Sequence, residues 1–250
     1  EDGSVVHGLF YPPCSNKFES DGLPPAIVNI HGGPTSARVN SYNGDAVYFC
    51  TRGYAFLEVN YRGSTGYGRS YMLKLRKHWG KIDTEDAAGG AAALAALGLA
   101  DPKRMIIMGG SSGGYTVLNA LIHFPGVFKA GVNFFGVANL FDLVIGTHKF
   151  EEHYNDSLVG TLPESAELYK AWSPIFHADQ IKDPVAVFQG ADDKVVPPQH
   201  SEQLAAVLKA NHVPHIYRLY PGEGHGFRLI ENIIDQYKNL ESFLQQYVIF

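Results

Sequence analysis

Arg104-Met105-Ile106-Ile107-Met108-Gly109-Gly110-Ser111-Ser112-Gly113-Gly114-Tyr115-Thr116-Val117-Leu118 reads as an apolar strand, a glycine-rich turn and the start of a helix. That succession is the setting a nucleophile elbow requires. The turn strains its central residue, and the helix backbone passes so close to the strand that the flanking positions must be small. Glycines two before and two after a serine meet that need. The helix N-terminus also favours negative charge developing beside it. Two registers fit, because Ser111 lies between Gly109 and Gly113 while Ser112 lies between Gly110 and Gly114. Spacing alone does not separate them. A phosphate-binding turn competes, but Ser at 111 breaks the G-x-G-x-x-G spacing and no Lys follows as a P-loop would require.

Outward from this turn, short apolar runs rich in β-branched residues recur at 26–30, 54–60, 105–108, 130–135, 184–189 and 216–220. Continuous runs of this length suit strands buried on both faces of a parallel sheet. Helical patterns fall between them at 83–97, 115–124, 199–211 and 229–247, and Asp83 with Asp86 three residues on resembles an N-cap box. The alternation predicts an α/β fold of the hydrolase type, a mostly parallel, doubly wound sheet with helices on both faces. Residues 141–169 are less regular, polar and aromatic, and are expected to form an insertion over the sheet. No internal repeat, linker or low-complexity tract divides residues 1–250, which read as one domain.

In a hydrolase of this type the acid and then the histidine follow the serine along the chain. The run at 184–189 leads into Gly190-Ala191-Asp192-Asp193-Lys194-Val195-Val196-Pro197, and the run at 216–220 into Pro221-Gly222-Glu223-Gly224-His225-Gly226-Phe227. Loops after strand C-termini are where such folds assemble chemistry. His225 stands out among the 11 histidines because glycines flank it, which lets the ring reach a site without bulk beside it. Either Asp192 or Asp193 could serve as the acid, and a solvated turn carboxylate is the plain reading of both. His148 and His153 lack the carboxylate–histidine spacing of a metal site, so no metal and no cofactor is expected.

At 250 residues the chain can bury a sizeable core, and 45% hydrophobic with 18% charged residues is an ordinary globular balance. A net charge of −5 with no Lys/Arg cluster argues against nucleic acid or an anionic membrane as partner. No apolar run reaches membrane-spanning length. Cys14 and Cys50 read as free thiols of a reducing compartment, which points to the cytoplasm. Glu1-Asp2-Gly3-Ser4 runs into the strand-like Val5-Val6-His7-Gly8-Leu9-Phe10. Asp-Gly signals a tight hairpin, yet the preceding strand and an initiator Met are missing. The chain is therefore expected to be a piece of a longer protein cut near a hairpin, with a disordered end as the alternative.

Taken together, these residues resemble the prolyl oligopeptidase family of serine peptidases, in particular its acylaminoacyl-peptidase and dipeptidyl-aminopeptidase branch. The resemblance is carried by His31-Gly32-Gly33-Pro34, Asn60-Tyr61-Arg62-Gly63-Ser64-Thr65-Gly66-Tyr67-Gly68, residues 109–115, residues 190–197 and Gly224-His225-Gly226-Phe227. It implies Ser111 as nucleophile, since the family's serine follows two glycines and precedes x-Gly-Gly. It likewise implies Asp193, three residues after the glycine ending the strand, and His225 as base. The backbone N–H groups of Gly33 and Ser112 are the implied oxyanion hole. One departure is Val195, where many relatives place an Arg or Asn that holds a substrate carbonyl. Family members usually carry an N-terminal β-propeller that restricts entry to short peptides, and none is present in this sequence.

The expected activity is hydrolysis of short peptides, of aminopeptidase, dipeptidyl-peptidase or acylaminoacyl-peptidase type, through an acyl-enzyme. Phe134, Phe135 and Val195 are candidates to line the pocket for the residue before the scissile bond, although the two Phe could equally be sheet core. Glu151 and Glu152 are candidates to capture a free α-amine, with a solvated helix face as the plainer alternative. A carboxylesterase using the same triad is the rival activity. A non-catalytic binding module is the rival of a different class, and such modules commonly lose a triad member. Oligomeric state is not legible.

Overall fold

In the computed structural model, which describes residues 3–15, 19, 21–146 and 153–250, the apolar runs become strands β1 (His7–Tyr11), β2 (Ala26–Ile30), β3 (Ala55–Asn60), β4 (Met105–Gly110), β5 (Ala130–Phe134), β6 (Val185–Gly190) and β7 (His215–Tyr220). Among the described residues they form one seven-stranded sheet in the order β1-β3-β2-β4-β5-β6-β7. All neighbours are parallel except β1, which runs antiparallel to β3 at the edge. The continuous apolar runs are explained by burial on both sides. Alternate side chains point to opposite faces, so Met105 and Ile107 of β4 join one core while Ile106 and Met108 join another. Val185 and Val187 of β6 part from Ala186 and Phe188 in the same way.

The intervening segments form helices α1 (Gly44–Cys50), α2 (Arg69–Leu73), α3 (Ile82–Ala96), α4 (Ser112–His123), α5 (Leu140–Gly146), α6 (Tyr154–Leu158), α7 (Ala166–Trp172), α8 (Gln199–Ala210) and α9 (Ile230–Leu244). Apolar residues of α3, α4 and α8 close the first core, and those of α1 and α9 close the second. This is the doubly wound α/β sheet that the alternation predicted. From β2 the chain moves to β3 on one side, and β4 lies on β2's other side. The loops leaving β2 and β4 therefore diverge at the carboxyl edge, where open α/β sheets form ligand crevices.

Two local expectations need correction. Among the described residues of 141–169, most of α5, all of α6 and most of α7 are helical, and Leu158, Val159 and Tyr169 join the first core. The N-cap box does not form. The N-cap of α3 is Lys81, with no side-chain cap, and both carboxylates are buried on tertiary partners instead. Asp83 accepts from Gly80 N–H at 2.7 Å and from the Thr116 hydroxyl at 2.6 Å. Asp86 accepts from the Arg62 backbone at 2.6 Å and its guanidinium at 2.7 Å.

Burial pushes the Asp83 carboxyl up to about 6, against the opposing pull of its Thr116 and backbone hydrogen bonds. The folded protein therefore binds a proton between about pH 4 and 6 that the unfolded chain releases, so the cost of this buried charge is full above pH 6 and fades as pH falls. Asp83→Asn keeps the Gly80 bond, and its amide can donate to Thr116 while the Thr116 hydroxyl turns to Ser112 O, 3.2 Å away. Thermal melts should show the variant about 5 °C more stable at pH 7, with the gain shrinking steadily toward pH 4. A gain that does not vary with pH would show that the charge is not its source.

Candidate active site

β4 ends at Gly110 and α4 begins at Ser112, so Ser111 makes the turn between them, at φ 58° and ψ −123°. Few non-glycine residues occupy this region, and it persists only where the surroundings enforce it. Here they do, since Ser111 N–H donates to Phe134 O at 2.9 Å. A Cβ on Gly113 would stand 2.1 Å from Ile30 O, and one on Gly109 would stand 2.6 Å from the Gly113 carbonyl carbon. Helix α4 thus presses directly on β2 and β4, which explains the glycines at these two positions.

The two serines separate by their neighbours. Ser111 Oγ lies 2.9 Å from His225 Nε2. Ser112 is buried, and its Oγ accepts from the Trp79 indole N–H at 3.2 Å. His225 Nδ1 lies 2.8 Å from Asp193 Oδ2. A carboxylate accepts, so Nδ1 carries the proton and Nε2 presents its lone pair to the Ser111 hydroxyl. Asp193 is 4% exposed and is held by further donors: the backbone N–H groups of Val195 at 2.8 Å and Val196 at 2.9 Å, and the Gln189 amide at 3.3 Å. Asp192 is exposed and its side chain takes no part.

The loop after β2 passes against the same turn, since a Cβ on Gly32 would stand 3.4 Å from Ser111 Cβ. The segment after β3 fixes this loop. His31 stacks on Tyr61 at 4.3 Å, Tyr61 OH donates to Pro34 O at 2.7 Å, and Thr65 N–H donates to Ser36 O at 2.8 Å. Burial pushes the His31 imidazole down to about 4, so the ring is neutral. Its Nδ1–H donates to Gly32 O at 2.8 Å, leaving Nε2 to accept from Ser64 Oγ at 2.7 Å. Gly33 and Ser112 both line the cavity of about 480 Å³ into which Ser111 and His225 open.

Val137, Leu143, Tyr154, Val195 and Val196 line that cavity, and Phe135 closes it beside the His225 ring, 4.7 Å away. Phe134 does not line it, because strand alternation turns its ring toward the second core, where it stacks on Phe188 at 5.3 Å. Glu151, Glu152 and His148 lie outside the described residues. His153 pairs with Asp156 at 3.0 Å, and among the described residues no group of His, Cys, Asp and Glu is placed to hold a metal ion.

Sequence reasoning missed three residues that support the site. Gln189 binds both Asp193 and the Ser201 hydroxyl, the latter at 2.7 Å. Tyr154 meets Thr35 Oγ1 at 2.6 Å and so joins the insertion to the loop after β2. Glu223 is buried two residues before His225 and accepts from Arg228 N–H, Leu229 N–H and the Asn232 amide. Burial alone would raise its carboxyl, but these donors outweigh burial and hold it below the usual carboxylate range. The one available signal was Glu223's place inside the glycine-rich histidine loop, where an acidic side chain needs buried donors.

The prolyl oligopeptidase family model matches residues 40–249. The chain is 33% identical over 246 residues to dipeptidyl peptidase family member 6 of Caenorhabditis elegans, covering 94% of this chain and 33% of that protein. It is 33% identical over 224 residues to dipeptidyl aminopeptidase BIII of Pseudoxanthomonas mexicana, covering 88% and 32% respectively. Among solved structures, a puromycin-hydrolyzing peptidase of Mycobacterium tuberculosis superposes with a TM-score of 0.94 at 41% identity, over 98% of this chain and 37% of that one. The chain thus spans about a third of the length of the curated relatives it matches. Among the described residues no helix is long and apolar enough to cross a membrane.

Proposed function

The chain belongs to the prolyl oligopeptidase family, and from that membership we propose that it is the catalytic part of a serine peptidase acting on short peptides. Ser111 is the nucleophile, His225 the general base and Asp193 the group that orients the imidazole. The observation that carries this reading is the unbroken succession Ser111 Oγ, His225 Nε2, His225 Nδ1, Asp193 Oδ2, with contacts of 2.9 and 2.8 Å.

His225 Nε2 takes the Ser111 proton as Oγ bonds to the scissile carbonyl carbon. Asp193 stabilises the imidazolium without itself becoming protonated. The carbonyl oxygen, now negative, is received by the N–H groups of Gly33 and Ser112, and loss of one such donor typically lowers kcat by about 10²–10³. Collapse of the adduct breaks the C–N bond, and His225 passes its proton to the departing amine. Water, deprotonated by the same imidazole, then releases the acyl group from Ser111. The residue before the scissile bond enters the recess lined by Val137, Leu143, Tyr154 and Val196, where Val195 supplies an apolar wall in place of a polar anchor. In the full-length protein an N-terminal β-propeller would screen substrates by size.

A carboxylesterase would use the same triad, and amide against ester turnover separates the two. At least one of leucyl-, N-acetyl-leucyl- and glycyl-leucyl-p-nitroanilide should be hydrolysed, whereas turnover confined to p-nitrophenyl acetate would sink the peptidase reading. Comparing leucyl-p-nitroanilide with its N-acetyl form then assigns the subtype, since an aminopeptidase needs the free amine and an acylaminoacyl-peptidase prefers it blocked.

A further inference from the structure

The cavity that holds Ser111 adjoins a second one of about 320 Å³ on the other flank of the nucleophile turn, and Arg38, Gly110 and Phe135 line both. Gly226 and Phe227, which directly follow the general base, line only the second cavity. The apolar recess for the acyl group lies on the Val195–Val196 side. The departing amine must stay beside His225 to receive its proton, so the fragment it carries extends away from that recess, toward the second cavity.

Arg38 is the one Arg or Lys among the described residues lining either cavity. Its backbone is clamped in both directions on Asn60, Arg38 N–H donating to Oδ1 at 2.7 Å and Asn60 Nδ2 donating to Arg38 O at 2.9 Å. Its Nε stands 3.2 Å from Oε2 of Glu58, a buried carboxylate that also accepts from Asn29 at 3.0 Å and Asn43 at 2.6 Å. This ion pair holds Nε toward Glu58, and no hydrogen bond within the described protein uses Nη1 or Nη2. A planar fork of unspent donors at the junction of two cavities is suited to a carboxylate. The remaining charge in the second cavity is Asp45, tied to the Tyr237 hydroxyl. Asp45 opposes a second carboxylate deeper inside, so the charge pattern favours a fragment whose negative end stops at Arg38.

We propose that the second cavity is the leaving-group subsite and that Arg38 binds the terminal carboxylate of a departing fragment one or two residues long. The proposal rests on the serine-peptidase reading above and adds the substrate class, short peptides with a free C-terminus. It is tested with the protein, Arg38→Met and Arg38→Lys, each assayed on Leu-Gly-Gly and Gly-Leu-Gly-Gly as free acids and as C-terminal amides, with leucyl-p-nitroanilide as a substrate lacking the carboxylate. A charge-assisted pair contributes about 1.5 kcal/mol or more, so the unmodified protein should favour acid over amide by about tenfold in kcat/KM. Arg38→Met should bring that ratio to near one, mainly through KM, and Arg38→Lys should restore part of it. Equal cleavage of acid and amide by the unmodified protein, or an acid-to-amide ratio that Arg38→Met leaves unchanged, overturns the proposal. Failure of the unmodified protein to hydrolyse leucyl-, N-acetyl-leucyl- and glycyl-leucyl-p-nitroanilide alike would instead sink the reading on which it rests.

Discussion

Ser111→Ala will abolish labelling by a fluorophosphonate and lower kcat on any amide substrate by about 10⁵–10⁶, the scale seen when a triad nucleophile is removed. The substitution deletes the atom 2.9 Å from His225 Nε2 and leaves the turn intact, because Ser111's backbone bonds to Phe134 and Tyr115 do not involve the side chain. Ser112→Ala is the informative partner. It removes a hydroxyl that accepts from Trp79, while the Ser112 N–H proposed for the oxyanion remains. Labelling should persist, with activity reduced less than about tenfold, as expected for loss of one neutral hydrogen bond. Labelling that survives in Ser111→Ala and vanishes in Ser112→Ala would reverse the assignment.

The second large effect is on folding. Gly113→Ala adds one methyl group 2.1 Å from Ile30 O, 2.9 Å from Ile30 C and 3.1 Å from His31 O. All three are backbone atoms, so no side chain can swing aside. Relief requires α4 to lift from β2 or the sheet to part between β2 and β4, and both carry the site. A loss of about 4 kcal/mol or more is expected, at the extreme of single substitutions. Tm should fall by about 10 °C or more, and labelling should fall with it. Gly89→Ala provides the contrast, because Gly89 lies exposed within α3 with nothing within 4 Å of an added Cβ. That change should stabilise by about 0.5–1 kcal/mol through helix propensity alone. Similar melts for the two variants would show that close approach is not the reason for glycine at 113.

The parts of this molecule that could be read from sequence are those dictated by local chemistry. The strands were legible because burial on both faces demands uninterrupted apolar runs, and the elbow because a strand, a glycine turn and a helix follow within fifteen residues. Ser111 and Ser112 were ambiguous because the glycines repeat in both registers. Tertiary structure separates them, through Trp79 reaching from 33 residues away. Asp192 and Asp193 divide for the same reason, since the donors around Asp193 include Gln189 and two backbone N–H groups that only the folded loop aligns. The N-cap box failed at Asp83 because Thr116, on a different helix, binds the carboxylate. Arg38 gave no signal, as its meaning depends on Glu58 and on a cavity formed by distant segments.

The wide separation of Ser111 from His225, 114 positions along the chain, also bears on how the molecule comes into being. A ribosome-bound polypeptide that has emerged as far as Asp193, just past β6, already holds the hydroxyl and the carboxylate of the proposed triad, yet lacks the imidazole that stands between them. On the proposed mechanism competence waits for His225, which follows β7 in the loop that the donors to Glu223 hold. The order of synthesis thus withholds the proposed chemistry until β7 of the sheet has been made.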